Sequence, residues 1–122
     1  MSGGGDPPYF PEGEMATERL GFELKEFNAA SLAAGYADFG SPMSAPVVSV
    51  EIFNASNVDV YISIDGTTNH MRIPANSVLP IYPYNKHNHN NDSRVVFAEG
   101  TQLSIKQVTT NGTGYISANV CT

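Results

Sequence analysis

The residues of this chain best suited by type to metal or acid–base chemistry are three histidines, His70, His87 and His89. His87 and His89 stand two apart around Asn88, and in a strand that spacing puts both imidazoles on one face, as a metal site asks. Such a site also needs a third and fourth ligand with supporting hydrogen bonds. The surrounding "YNKHNHNNDSR" offers mainly asparagines, so solvated loop histidines are the simpler reading. Asp59 and Asp65-Gly66 have the look of a calcium-loop fragment. The intervening Val60, Tyr61, Ile62 and Ile64 donate no oxygen and no Glu follows at the needed offset, which rejects that motif. The other acids of the region are far apart and sit at turns or on outward strand positions, so no carboxylate pair for acid–base work can be named. No glycine-rich phosphate loop is present, and "GTGYIS" opens a strand where such a loop would open a helix. No serine sits in a nucleophile elbow, and Cys121 has no nearby base. The residues therefore assign no catalytic group, no metal and no cofactor, and the expectation is a protein that is not an enzyme.

Contact chemistry is better represented. Tyr61 and Tyr115, with Tyr82 and Tyr84, are aromatic side chains at positions read as outward, suited to a protein contact or to stacking on a sugar. Near the N-terminus "DPPYFPEG" sets Tyr9 and Phe10 between Pro7, Pro8 and Pro11, after three consecutive glycines. Proline-rich chain of this kind is extended and loses little entropy on binding, so it reads either as a tail or as a docking arm for a neighbouring subunit. The interface candidates are thus Pro7, Pro8, Tyr9, Phe10, Pro11, Tyr61, Tyr82, Tyr84, His87, His89 and Arg94, the last three from the polar loop.

Composition narrows the partners. The 122 residues are one domain's worth, with 41% hydrophobic residues, only 15% charged ones, and much Gly, Asn, Ser, Thr and Pro. Net charge is −6, and residues 1–26 hold six of the twelve acids against Arg19 and Lys25 alone. An acidic chain without a basic cluster lacks the footprint of a nucleic-acid binder. Cys121 is the single cysteine, so no intrachain disulfide is possible. "MSGGGDPPYFPEGEM" has neither the cationic start nor the apolar run of a secretory signal, and no segment has the length of a membrane span. The expectation is a protein that stays in the cytoplasm unless it leaves as part of a larger body, with the Asn-X-Ser/Thr triplets at Asn54, Asn91 and Asn111 unmodified.

The elements that position these residues read as strands and turns. Residues 1–20 form an extended arm and residues 21–122 a single β-domain. Residues 15–36 support both a helix face (Leu20, Leu24, Phe27, Ala33, Ala34) and a strand over Phe22 to Phe27. Gly21 and Gly35 weaken the helix, so a strand followed by a turn or brief helical turn is expected. In "PVVSVEIFN" Val48, Val50 and Ile52 share a face, and in "VDVYISIDG" Val58, Val60, Ile62 and Ile64 read as inward with Asp59, Tyr61 and Ser63 outward. The short Asn54–Asn57 link predicts that these two strands pair as a hairpin. Asp65-Gly66 is a second turn, "NHMRIP" a returning strand, and Val78–Tyr82 an edge strand marked by Pro80 and Pro83. After the polar loop come "VVFAEG", then "TQLSIKQV" with Leu103 and Ile105 inward, then "YISANV" with Ile116, Ala118 and Val120 inward. Turns recurring about every ten residues predict an all-β fold of seven to nine strands: a small antiparallel sandwich or barrel, jelly-roll-like, with an extended N-terminal arm.

The run "FNAASLAAGYADFGSPMSAPVVSVEIFNASNVDVYISIDGTTNHMRIPANS", followed after the polar loop by "FAEGTQLSIKQVTTNGTGYISANV", resembles small virion structural proteins of tailed bacteriophages. The likeness lies in the order of pieces over residues 27–120: a Phe-x-x-x-Ser-Leu lead-in, Tyr and Phe-Gly, "NASNVDVYISIDG", "IPANS" and a closing "GTQLSIK…GTGYIS". It implies a compact β-domain in the virion, as capsid decoration or cement, minor capsid component, or head–tail junction or tail part. The partners so implied are the major capsid protein or neighbouring virion proteins, in a homo-oligomer or symmetric array, with no direct nucleic acid and no membrane. The resemblance transfers no catalytic residue. A carbohydrate- or receptor-binding tail module, using Tyr61, Tyr82, Tyr84 and the Asn/His loop, is the alternative reading.

Overall fold

The computed structural model describes residues 21–82 and 95–122. Among these residues eight strands follow one another: β1 (Phe22–Asn28), β2 (Ala37–Asp38), β3 (Ser49–Asn54), β4 (Val60–Ser63), β5 (Met71–Ile73), β6 (Ser77–Ile81), β7 (Ser104–Gln107) and β8 (Tyr115–Cys121). One 3-10 turn, Ala29–Ser31, follows β1, with the Asn28 side chain accepting from the Ala30 N–H as its cap. The first sheet has the order β1-β8-β3-β6 and the second β2-β7-β4-β5, with every pairing antiparallel.

This order has a simple origin. β1 pairs with β8, β2 with β7, β3 with β6 and β4 with β5, so the chain is one long hairpin whose tip lies between β4 and β5. Folding that ribbon over on itself sends alternate pairs to opposite sheets, and the β3–β8 and β4–β7 ladders then join the wraps. The result is an eight-stranded jelly roll, the sandwich form of the expected fold.

The core lies between the sheets. Val50 and Ile52 of β3, with Ile116, Ala118 and Val120 of β8, face Val60 and Ile62 of β4 and Ile105 of β7 across it, all buried. The period-two readings of β7 and β8 hold, as does that of Val50 and Ile52 in β3; Val48, read on the same face, precedes the strand and is half-buried outside the core, and Val47 is enclosed in its place. Phe39, Met43 and Val47, in the irregular stretch between β2 and β3, are also fully enclosed. That stretch is held by backbone bonds to the segment before β7, Met43 N–H to Thr101 O (2.9 Å) and Val47 N–H to Phe97 O (2.8 Å) among them. Phe39 meets Phe27 edge-on, with ring centroids 6.4 Å apart.

Three further expectations are corrected, and the facing of β1 is settled. β3 and β4 do not form a hairpin; Asn54–Asn57 carries the chain from one sheet to the other. The corner is built on the buried Asn54 side chain, whose Nδ2 donates to Val58 O (2.8 Å), Ile73 O (3.0 Å) and Pro74 O (3.1 Å) while Oδ1 accepts from Ser56 N–H. Ser63, read as outward, is fully buried because its hydroxyl takes the N–H groups of Asp65 and Gly66, and Ile64, read as inward, is exposed where the strand ends. "VVFAEG" is no strand: it contributes a single bridge, Val47 to Phe97. In β1 the core side is Glu23, Lys25 and Phe27, and Phe22 and Leu24 face away.

Candidate interaction surface

The reversed face of β1 creates the main surface feature. Antiparallel register carries Phe22 to Cys121 and on to Ser49; Leu24 to Asn119, Glu51 and Pro80; and Glu26 to Ser117, Phe53 and Val78. These rows make the outer side of the first sheet, with Tyr82 just past β6. Phe22 is 78% exposed, Leu24 62% and Tyr82 60%. Exposed apolar residues are ordinary when scattered; here Phe22 and Leu24 at one edge and Phe53, Val78 and Tyr82 toward the other share a single sheet face, with Asn119, Ser117 and Glu51 between them.

A shallow depression of about 520 Å³ lies there. Phe22 and Leu24 wall one side, and Tyr82 and Glu51 the other, the Tyr82 hydroxyl standing 3.4 Å from Glu51 Oε2. Ser49, Asn119 and Cys121 line it between them. The outward-facing charges on these strands are Glu26 and Glu51, and Glu23, on the inward side of β1, also lines the depression.

The inward side of β1 shows why the face turned. Lys25 is buried, its stem passing against Gly40, whose φ of +78° and missing Cβ let the chain come close. The ammonium donates to Ser41 O (2.7 Å) and lies 3.3 Å from Glu23 Oε1; Glu23 also accepts from the Ser44 hydroxyl. Phe27, on the same side, joins the core. Seating Phe27 leaves Phe22 and Leu24 on the other parity.

Tyr61 lies elsewhere. It is half-buried on the outer side of the second sheet, between its register partners Lys106 and Arg72, whose cationic groups stand 5.6 and 6.0 Å from its ring centre. Lys106 also stands 4.9 Å from the Tyr36 ring. Each such contact is worth about 0.5–1 kcal/mol at an exposed site. Arg72 also donates to Asp59 (2.8 Å), and that bond, followed by the Ala75 N–H, holds the Asp59 carboxyl below its ordinary value.

Tyr61 and Tyr82 therefore occupy opposite outer faces and form no common site. Tyr115 shares the face of Tyr82 but sits six residues along β8 from Cys121, about 20 Å away at strand rise. Pro7, Pro8, Tyr9, Phe10, Pro11, Tyr84, His87, His89 and Arg94 lie outside the described residues. Phe22, Leu24 and Cys121 were missed as surface residues. The signal was present in "GFELKEF", which has aromatic residues on both strand parities, only one of which can face a core.

The Asp65 turn is self-contained. Its carboxylate accepts from the N–H groups of Thr68 (2.8 Å) and Thr67 (2.9 Å) and from the hydroxyls of Thr68 and Ser63. These bonds, that of the Thr68 N–H foremost, hold the carboxyl well below its ordinary value of 3.8. His70 completes the hairpin, its Nδ1 accepting from the Ile64 N–H at 3.2 Å. Because the folded state depresses the Asp65 pKa, its contribution to stability is present above pH 3.8 and is lost as the pH falls below it. Asp65→Asn is expected to melt below the parent protein at pH 7, with the gap narrowing in acid; a gap independent of pH in thermal melts counts against this role.

Among the described residues no group of three His, Cys, Asp or Glu side chains is placed to hold a metal ion, and no helix is long and apolar enough to cross a membrane. No protein-family model, curated protein or solved structure matches the chain.

Proposed function

We propose that this chain is a structural component of a tailed-bacteriophage virion, a capsid decoration, cement or minor capsid protein that works through subunit contacts. The observation that carries the reading is the outer face of the first sheet, which presents Phe22, Leu24, Phe53, Val78 and Tyr82 to solvent across hydrogen-bonded strands. A sheet face that exposes this many large apolar side chains around a polar centre suits contact with another protein better than it suits a lone subunit. The order of sequence pieces that resembles small phage virion proteins supports the same reading. The jelly roll is compatible with it, as a fold used in viral capsids, and is equally used in lectins and cupins, so the fold alone decides nothing. In a symmetric array many weak contacts of this kind act together.

The test is the copy number of the protein in purified virions, by quantitative mass spectrometry against the major coat protein. Copies comparable with the coat subunit are expected for decoration or cement. A small fixed number moves the protein to the head–tail junction or tail. Absence from the particle overturns the virion reading and turns attention to glycan binding at Tyr82, where an aromatic ring stands beside Glu51 and Asn119.

A further inference from the structure

Two apolar features of this chain lack an assigned partner: the depression on the first sheet, and the Pro7–Pro11 segment with its two aromatic side chains. We propose that in the free chain this segment docks in the depression of its own domain, with Tyr9 and Phe10 against Phe22, Leu24 and Tyr82.

Chain connectivity brings the two together. β1 begins at Phe22, itself a wall of the depression, so residues 1–20 leave the domain from the rim of the site. Ten residues, 12–21, separate the segment from β1. They reach at most about 35 Å when extended, and the four-stranded face is about 14 Å wide at the usual strand spacing. The connection is thus long enough to turn back, and Gly13 supplies a residue free to make the turn.

Chemistry favours this occupant over the others. Proline-rich extended chain is recognised by grooves lined with aromatic side chains, here Phe22 and Tyr82. Its backbone carbonyls need donors, and Asn119 and Ser49 offer an amide and a hydroxyl there. Pro7–Pro11 itself is uncharged and brings no carboxylate against Glu51, the acids nearest to it being Asp6 and Glu12 at its two ends. A second copy of the same face would bring Glu51 and Glu26 against their own kind, with no Lys or Arg on the outward side of those strands to offset them. Residues 83–94 enter beside Tyr82, but their one large apolar side chain is Tyr84, amid Asn, His, Lys, Asp and Arg.

The chain holds its own reporter. Cys121 is its only cysteine, half-buried, and lines the depression. The experiment is the rate of Cys121 alkylation by N-ethylmaleimide in the full chain, read by intact-protein mass, for the parent protein and the Tyr9→Ala/Phe10→Ala variant. A tethered segment is present at an effective concentration in the millimolar range, so removing its aromatics is expected to speed labelling about fivefold to tenfold. The protection should persist unchanged on dilution of the protein.

Equal rates for the two proteins overturn the proposal. Protection that fades on dilution also overturns it, by assigning the site to a second copy. Release by Tyr84→Ala instead of by the arm variant assigns the site to residues 83–94. Neither substitution set lies in the described domain, so the comparison does not depend on refolding a damaged sandwich. The proposal concerns the free chain and goes beyond the virion reading. Its failure would leave the copy-number test untouched, and the reverse holds equally.

Discussion

Asn54→Asp is expected to lower the unfolding free energy by about 3–5 kcal/mol at pH 7, from the combined loss of buried donors and introduction of a buried charge. Asn54 is 1% exposed, and its amide nitrogen faces three backbone carbonyls, those of Val58, Ile73 and Pro74. An aspartate there sets a carboxylate oxygen against those carbonyl oxygens. It also strands acceptors that water cannot reach. The pH dependence has a definite sign. A carboxyl forced into this site has its pKa raised on folding, so the variant's deficit should shrink as the pH falls and the group becomes protonated, and widen as the pH rises. Asn54→Leu, which removes donors without adding charge, should lose less at pH 7 and show no such dependence. Urea unfolding followed across pH separates the two, with the slope m serving to confirm that the compactness of the end states is unchanged. A loss under 1 kcal/mol for Asn54→Asp would show that this corner is not what holds β3 to β4.

The second large effect is expected at Gly114, immediately before β8. Its φ of +102° lies where a side chain is strained, and a Cβ there would stand 2.5 Å from Ala55 O and 2.9 Å from Ser56 Cα. Both are backbone atoms of the corner that Asn54 anchors, so neither yields by a rotamer change. The surrounding bonds, Ala29 N–H to Gly114 O (2.9 Å) and Ala55 N–H to Tyr115 O (3.0 Å), fix the same backbone from two sides. Gly114→Ala should therefore cost about 3 kcal/mol, well outside the range of an exposed substitution. The contrast is Gly35→Ala, where nothing lies within 4 Å of the added carbon and φ is not positive, and where the melting temperature should change little. Because Gly114 and Asn54 act on one corner, the double variant should lose less than the two losses added together.

Much of the strand content was legible because it depends on local alternation. In β8, Ile116, Ala118 and Val120 recur every second residue and occupy the core as read. Leu103, just before β7, and Ile105 within it do the same. Asp65-Gly66 marked its turn because the carboxylate and the positive-φ glycine (φ 79°) make it locally. Pro80 marked β6 as an edge strand because an edge can spare a donor.

The candidate surface was far less legible. Period two fixes which residues of β1 share a side, but not which side meets the core. That choice fell to Phe27, which packs on Phe39, and to Lys25, whose stem finds Gly40 and whose ammonium finds Ser41 O. All three partners arrive from residues 39–41, a stretch with no strand signal. The outward tyrosines were read as one group for a related reason. Alternation gives an outward position in each strand but not the sheet to which the strand belongs, and Tyr61 and Tyr82 belong to different ones.

The class of fold, most strand positions and the inward residues of the central strands are written locally, because each follows from backbone periodicity and turn chemistry over a few residues. The crossing of the Asn54 link between sheets, the filling of the core by Phe39, Met43 and Val47 from outside any strand, and the solvent-facing side of Phe22 and Leu24 are set by packing. Those outcomes depend on which distant carbonyls and side chains meet when the ribbon folds over, and such meetings leave no period in the chain.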